Sequence, residues 1–171
     1  MARLPQQFFL QDALDLAPLL LGKTLVRRFD SGEIFKDDIS DIEVYRGEED
    51  LACHASKGRT LRTEIMYAPG GVAYVYLIYG MYWLLNIVTG DQHHPQAILI
   101  RGLTSITGPG RIGRQLALDK SFNGESFIES SRLWLEDAPI VPASKVITAP
   151  RVGINYAKDW IDKPWRFIRV D

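Results

Sequence analysis

Apolar residues recur along the chain in two rhythms, one helical and one alternating. From Asp12 to Leu21 leucines stand at Leu14, Leu16, Leu19, Leu20 and Leu21, with Asp12 able to cap a helix and Gly22 to stop it; Pro18 is the one residue inside that opposes it. Lys23 to Phe29 and Glu33 to Tyr45 read as two strands joined by the turn Asp30-Ser31-Gly32. Val72 to Ile78 and Tyr82 to Val88 form a second strand pair around Tyr79-Gly80-Met81, and Ala97 to Leu103 is a further strand. Pro109 to Leu118 reads as a helix, and the last segment mixes short strands with a helix near Ala157 to Trp160. Strands come first, helices are interspersed, and no regular strand-helix alternation appears. The pattern predicts an α+β fold, a mostly antiparallel curved sheet flanked by helices, over a doubly wound one.

Composition narrows the class without naming a chemistry. The 171 residues suit one compact domain spanning 1–171, and 46% hydrophobic with 24% charged residues excludes collagen-like, coiled-coil and disordered chains. No apolar run is long enough for a membrane span and the first 22 residues lack the pattern of a signal peptide, so the expectation is a cytoplasmic protein with no membrane partner. One cysteine, Cys53, rules out an internal disulfide and a multi-Cys zinc or iron-sulfur site. The net charge of −1 conceals a gradient: residues 1–50 carry 6 Lys/Arg against 11 Asp/Glu, residues 51–120 carry 7 against 3, and the remainder balances. A basic middle segment can touch a few phosphates, but an ordinary surface explains the asymmetry about as well.

Three places depart from what a core needs. Period-two geometry puts Ile42 and Val44 on one face of their strand and Glu43 and Tyr45 on the other, with Phe35, Asp37, Ile39 and Asp41 preceding them on that second face. A glutamate there, beside a tyrosine, is a candidate general base; a solvent-facing residue at a strand end is the plainer alternative. Between Tyr74 and Trp83 five large aromatics occupy ten positions. Tyr74 and Tyr76 share a face, and Tyr79 sits before Gly80, where a side chain can project from the turn. Such rings can stack on bases or wedge into a duplex step, or they can form an aromatic core. His54 lies in a polar loop as a structural or catalytic imidazole, and His93-His94 lack partners at metal-ligand spacing, so no metal is expected.

Taken in order, these segments resemble the alkyladenine (3-methyladenine) DNA glycosylases of the AAG type. The resemblance runs from about Leu20 to Arg169 and includes Leu20-Leu21-Gly22-Lys23, Glu43-Val44-Tyr45, His54, Gly58-Arg59-Thr60 with Arg62, Tyr74 to Met81, Asn86, Arg101, Gly108-Pro109-Gly110-Arg111 and Arg151-Val152-Gly153. It implies a monofunctional enzyme that binds duplex DNA containing damaged purines, flips the alkylated or deaminated base out and hydrolyses its N-glycosidic bond, leaving an abasic site. By that likeness Glu43 is the general base, Arg101 and the Val152 carbonyl help hold the water, and Tyr45, His54 and Tyr76 receive the base. Asn86 filters against the guanine amino group, and Tyr79 with Met81 beside it fills the vacated step. No cofactor is implied, and a monomer is expected. The chain departs from the family pattern at Gly102-Leu103-Thr104, where an acidic residue and a proline are common, and at Thr63, where asparagine is. A non-catalytic nucleic-acid-binding module would use the same tyrosines without a carboxylate. A nucleoside hydrolase would use the carboxylate without a projecting Tyr79.

Overall fold

The computed structural model describes residues 1–171. In chain order the elements are α1 (Gln6–Phe9), α2 (Ala13–Leu20), β1 (Thr24–Arg28), β2 (Ile34–Arg46), β3 (Ala73–Ile78), β4 (Tyr82–Val88), β5 (Gln96–Leu103), α3 (Pro109–Gln115), β6 (Leu133–Glu136), β7 (Val146–Ala149) and β8 (Arg166–Arg169), with short 3-10 turns between them. Every strand pairing is antiparallel, in the order β3-β4-β5-β2-β1-β6, with β8 joining β2 to β7. The fold is α+β, and no helix is long and apolar enough to cross a membrane.

The 13-residue β2 organises the sheet. Its first half pairs with β1, its second half with β5, and Asp41 to Glu43 pair on the other edge with β8. Between these halves the register with β5 slips twice: Ile39 opposes Leu103, Asp41 opposes Gly102, and Ile42 opposes Ile100. Ser40 on one strand and Arg101 on the other are therefore unmatched. Such a bulge reverses the alternation downstream, which corrects the expected face assignment. Ile39 belongs to the main core with Ile42 and Val44, and Phe35 packs against that core rather than lining up with Glu43.

One face of the sheet carries the core: Val75, Leu85, Ile87, Ile98, Ile100, Ile42 and Val44, covered by Ala13, Leu16, Ala17 and Leu20 of α2. Asp12 caps that helix by accepting from the Leu14 N–H at 3.0 Å. Helix α3 lies against β4 so closely that a Cβ on Gly113 would overlap the Trp83 carbonyl. The helix stops at Gln115, three residues before the expected Leu118, where Ala117 turns to φ 50°. The helix anticipated at Ala157 to Trp160 is a single 3-10 turn, Lys158–Trp160, and the short α1 has no counterpart in the sequence pattern.

Candidate active site

The register places one residue from each of four strands in a row on the sheet face opposite the core. Tyr74 of β3 opposes Asn86 of β4, Asn86 opposes Leu99 of β5, and Leu99 opposes Glu43 of β2. This row floors a cleft of about 690 Å³ whose walls include Tyr45, His54, Arg62, Tyr76, Tyr79, Arg101, Arg111, Val152 and Tyr156. Of the expected site residues only Met81 lies outside it. Met81 is exposed and lines a neighbouring shallow groove with Trp83 and Arg114.

Glu43 is the only carboxylate in the lining and is 0% exposed, which disposes of the solvent-facing alternative. Three donors surround it. The Val152 N–H donates to Oε1 at 2.7 Å, the Tyr45 hydroxyl donates to Oε2 at 2.6 Å, and an Nη of Arg101 lies 3.5 Å from Oε1. The contact from Val152 to Glu43 is thus made by its amide, whereas the resemblance implies a role for its carbonyl. Val152 and Tyr45 make hydrogen bonds and Arg101 a longer ionic contact, and since a carboxylate has about four acceptor sites it can still accept from a water. The bulge that leaves Arg101 unmatched on β5 explains its position, since an extra residue re-aims a side chain. Gly102 belongs to the same device: a Cβ there would come within 2.9 Å of the Asp41 Cβ.

The aromatic wall is assembled from two strands and a 3-10 turn. His54 Nδ1 and the Tyr74 hydroxyl are 2.8 Å apart, and the His54 ring meets the edge of Tyr76 at a centroid distance of 4.7 Å. The Tyr74 and Tyr76 rings are 5.3 Å apart, and the Asn86 amide donates to the Tyr74 carbonyl at 3.1 Å. His54 opens the turn His54–Lys57 between buried Cys53 and Ala55, not a polar loop. Burial, then the Arg62 and Lys57 charges, pushes its imidazole down to about 4, so it is neutral near pH 7. Burial first and the Glu43 carboxylate second push the Tyr45 hydroxyl far up, keeping it a donor.

The rim has a different character. Tyr79 is 85% exposed at the tip of the β3–β4 hairpin with φ 52°, followed by Gly80 at φ 65°, and the Ile78 carbonyl accepts from the Met81 N–H at 3.1 Å. Left-handed backbone costs a tyrosine about 1–2 kcal/mol, so the hairpin holds this ring outward against a local penalty. Arg62, Arg101, Arg111 and Arg114 line the cleft against the single acid Glu43, making the opening attractive to anions. Thr63, at a departure from the family pattern, is buried and its hydroxyl donates to the Gly58 carbonyl at 2.9 Å, bracing the loop that carries Arg62.

The family model described as methylpurine-DNA glycosylase matches residues 7–108 and 103–171, nearly the whole chain. This chain belongs to that family. Among relatives named "Putative 3-methyladenine DNA glycosylase", one from Natranaerobius thermophilus is 40% identical over 96% of this chain and 94% of its own length. One from Legionella pneumophila strain Lens is 40% identical over 100% and 96%, and one from Anaeromyxobacter dehalogenans strain 2CP-C is 42% identical over 96% and 82%. For a methylpurine-DNA glycosylase family member, several residues in and under the cleft have no role assigned from the sequence alone. Tyr156 and Arg114 carried no motif. Arg62 and Arg111 stood inside matched motifs without being given a role, as did Arg151, which packs under the cleft.

Proposed function

We propose that this protein is a monofunctional DNA glycosylase that turns alkylated or deaminated purines out of duplex DNA and hydrolyses their N-glycosidic bond. The observation that carries this reading is Glu43: a fully buried carboxylate, ringed by donors, at the bottom of a cleft with an aromatic wall and a cationic mouth. A binding module has no use for such a group.

The purine enters between Tyr45 and Tyr76, with His54 at its edge and Asn86 at the floor. Electron-poor, alkylated rings gain most from face-on aromatic contact. As the bond from the sugar C1′ to the base nitrogen lengthens, its electron pair leaves with the base and positive charge grows on the sugar. Glu43 stabilises that charge and accepts a proton from the water whose oxygen bonds to C1′. A cationic alkylated purine departs neutral, while hypoxanthine needs a proton from solvent. Tyr79 occupies the vacated step, offsetting the few kcal/mol of lost stacking and pairing. No side-chain amine serves as nucleophile, so the product is an intact abasic strand.

Duplexes labelled at one end, each with a single 3-methyladenine analogue, hypoxanthine or ethenoadenine, test the reading directly. Base release with strand breakage only after alkali is expected. Breakage without alkali contradicts a monofunctional enzyme; release from free nucleosides at comparable rates contradicts the duplex requirement.

A further inference from the structure

Beneath the cleft, out of contact with its space, lies an ion pair that the chemistry above does not use. Asp50 and Arg151 both have side chains 0% exposed. They meet in a two-pronged pair, Nη1 to Oδ2 at 2.6 Å and Nη2 to Oδ1 at 3.0 Å. Nη1 also donates to the Val44 carbonyl at 2.9 Å, and the guanidinium carbon sits 5.0 Å from the ring centres of both Tyr45 and Trp165. Asp50 in turn accepts from the backbone N–H groups of Arg46 and Ala52, each at 3.0 Å.

These bonds reach the neighbours of two of the three groups that hold Glu43, Val152 and Tyr45; Arg101 stands apart from them. Val44 lies between Glu43 and Tyr45 in the chain. Arg151 precedes Val152, whose amide donates to Glu43, and its guanidinium lies against the Tyr45 ring, whose hydroxyl donates to the same carboxylate. Asp50 fixes the start of the segment that leads through buried Cys53 to His54. Neither partner lines the cleft.

We infer that the Asp50–Arg151 pair is a positioning pair: it locks the strand carrying Glu43 to the loop carrying Val152 and so aims the carboxylate at the sugar. A structural filler would not need this form. Buried ion pairs give little net stability and can often be exchanged for apolar residues of similar volume without loss, whereas the two-pronged geometry and the third bond to Val44 fix direction as well as distance. This inference rests on Glu43 being the base, as proposed above.

The test compares three proteins on a duplex with one hypoxanthine: the wild type, Glu43→Gln, and the double substitution Asp50→Leu/Arg151→Met, which removes both charges together. Thermal midpoint, duplex dissociation constant and single-turnover release are measured for each. The double variant is expected to melt below the wild type, since the Val44 carbonyl and the Arg46 and Ala52 N–H groups lose their partner. Assayed well below its midpoint it should bind within about threefold, yet release base about 10²-fold more slowly, the loss that misplacement by about 1 Å brings. A folded double variant with the wild-type rate overturns the positioning role, as does a rate loss matched by an equal loss of binding. Arg151→Lys covers the case in which the double variant fails to fold. It keeps a cation against Asp50, but one ammonium cannot hold both carboxylate oxygens and the Val44 carbonyl. In folded Arg151→Lys, slowed release with binding retained supports the role, and an unchanged rate overturns it. Glu43→Gln separates the two ideas: if it releases base normally, the base assignment itself fails, whatever the pair does.

Discussion

The floor and the rim of the cleft lie in one sheet and obey opposite rules. At the floor, and in the wall and support around it, the polar side chains are partnered and mostly buried: Glu43 by Val152, Tyr45 and Arg101, Asn86 by the Tyr74 backbone, half-buried His54 by Tyr74, and, beneath the cleft, Arg151 by Asp50. At the rim apolar side chains stand in water, Tyr79 at 85% and Met81 at 63% exposure, and the backbone under Tyr79 is in a conformation its side chain disfavours. A floor of this kind holds charge and direction before any substrate arrives, as chemistry at a developing cation requires. The rim leaves apolar surface uncovered, which on the proposed reading the stacked bases of a duplex cover. Substitutions should separate accordingly, with floor changes acting on bond breaking and rim changes acting on capture of the base.

The largest effect belongs to the floor. Glu43→Gln keeps the shape of the side chain and loses its basicity, and a general base contributes about 10²- to 10⁴-fold. Single-turnover release from a hypoxanthine duplex should fall by that range while the dissociation constant for the same duplex stays within a few-fold. Undiminished release would remove the floor's chemical role and with it the contrast.

Next comes the rim. On the proposed reading, Tyr79→Ser removes the wedge and nothing near the sugar. Release of hypoxanthine opposite thymine should drop on the order of tenfold or more, because extrusion costs a few kcal/mol that nothing then offsets. Opposite a poorly pairing partner the loss should be much smaller. Equal losses in the two duplexes would assign Tyr79 to the pocket instead. The fold should be little affected, since the replaced ring is almost wholly in solvent.

Smaller still is the electrostatic contribution of the mouth. Arg111 and Arg114 line the cleft from α3, outside the contacts that hold Glu43. If they meet phosphates, log affinity should fall with log salt at roughly −0.9 per phosphate, and changing either to alanine should flatten that slope by about one. A slope unaltered by both substitutions would place the DNA backbone elsewhere on the surface.

How much of this was legible in the sequence follows from the range of the interactions involved. The hairpin of β3 and β4, the length of β2, the capping by Asp12 and the opposition of Glu43 and Tyr45 to Ile42 and Val44 all arise from local alternation and turn chemistry. The bulge at Ser40 does not, and it reversed the placement of Phe35 and Ile39 because strict period two cannot register an extra residue. Nor could alternation reveal the burial of Glu43. That depends on β8, whose Arg166 opposes Glu43, and on a loop more than 100 residues along the chain. The Asp50–Arg151 pair was hidden for the same reason, since a charged residue in a loop reads as solvated until the loop is docked.

The smallest effect returns to the floor and concerns protons. His54 is held neutral: its folded value is near 4, against 6.5 for a free imidazole, through burial and then the charges of Arg62 and Lys57. Between those two values the unfolded chain binds a proton that the folded chain refuses, so stability falls as pH is lowered from about 6.5 to about 4 and this contribution levels off below. Folded-state carboxylates such as Asp12 and Glu125 are also depressed, but they start from 3.8 and 4.5, and their losses come at the acid end of that window or below it. The decline between pH 6.5 and 5 therefore belongs mainly to His54. His54→Asn should lower the thermal midpoint at pH 7 by removing the bond to Tyr74, yet flatten its decline towards pH 5, with a difference in slope amounting to about a few degrees. Parallel melting curves for the two proteins across that range would mean that the imidazole is free to protonate in the fold, and that the aromatic wall is wetter than the rest of the floor.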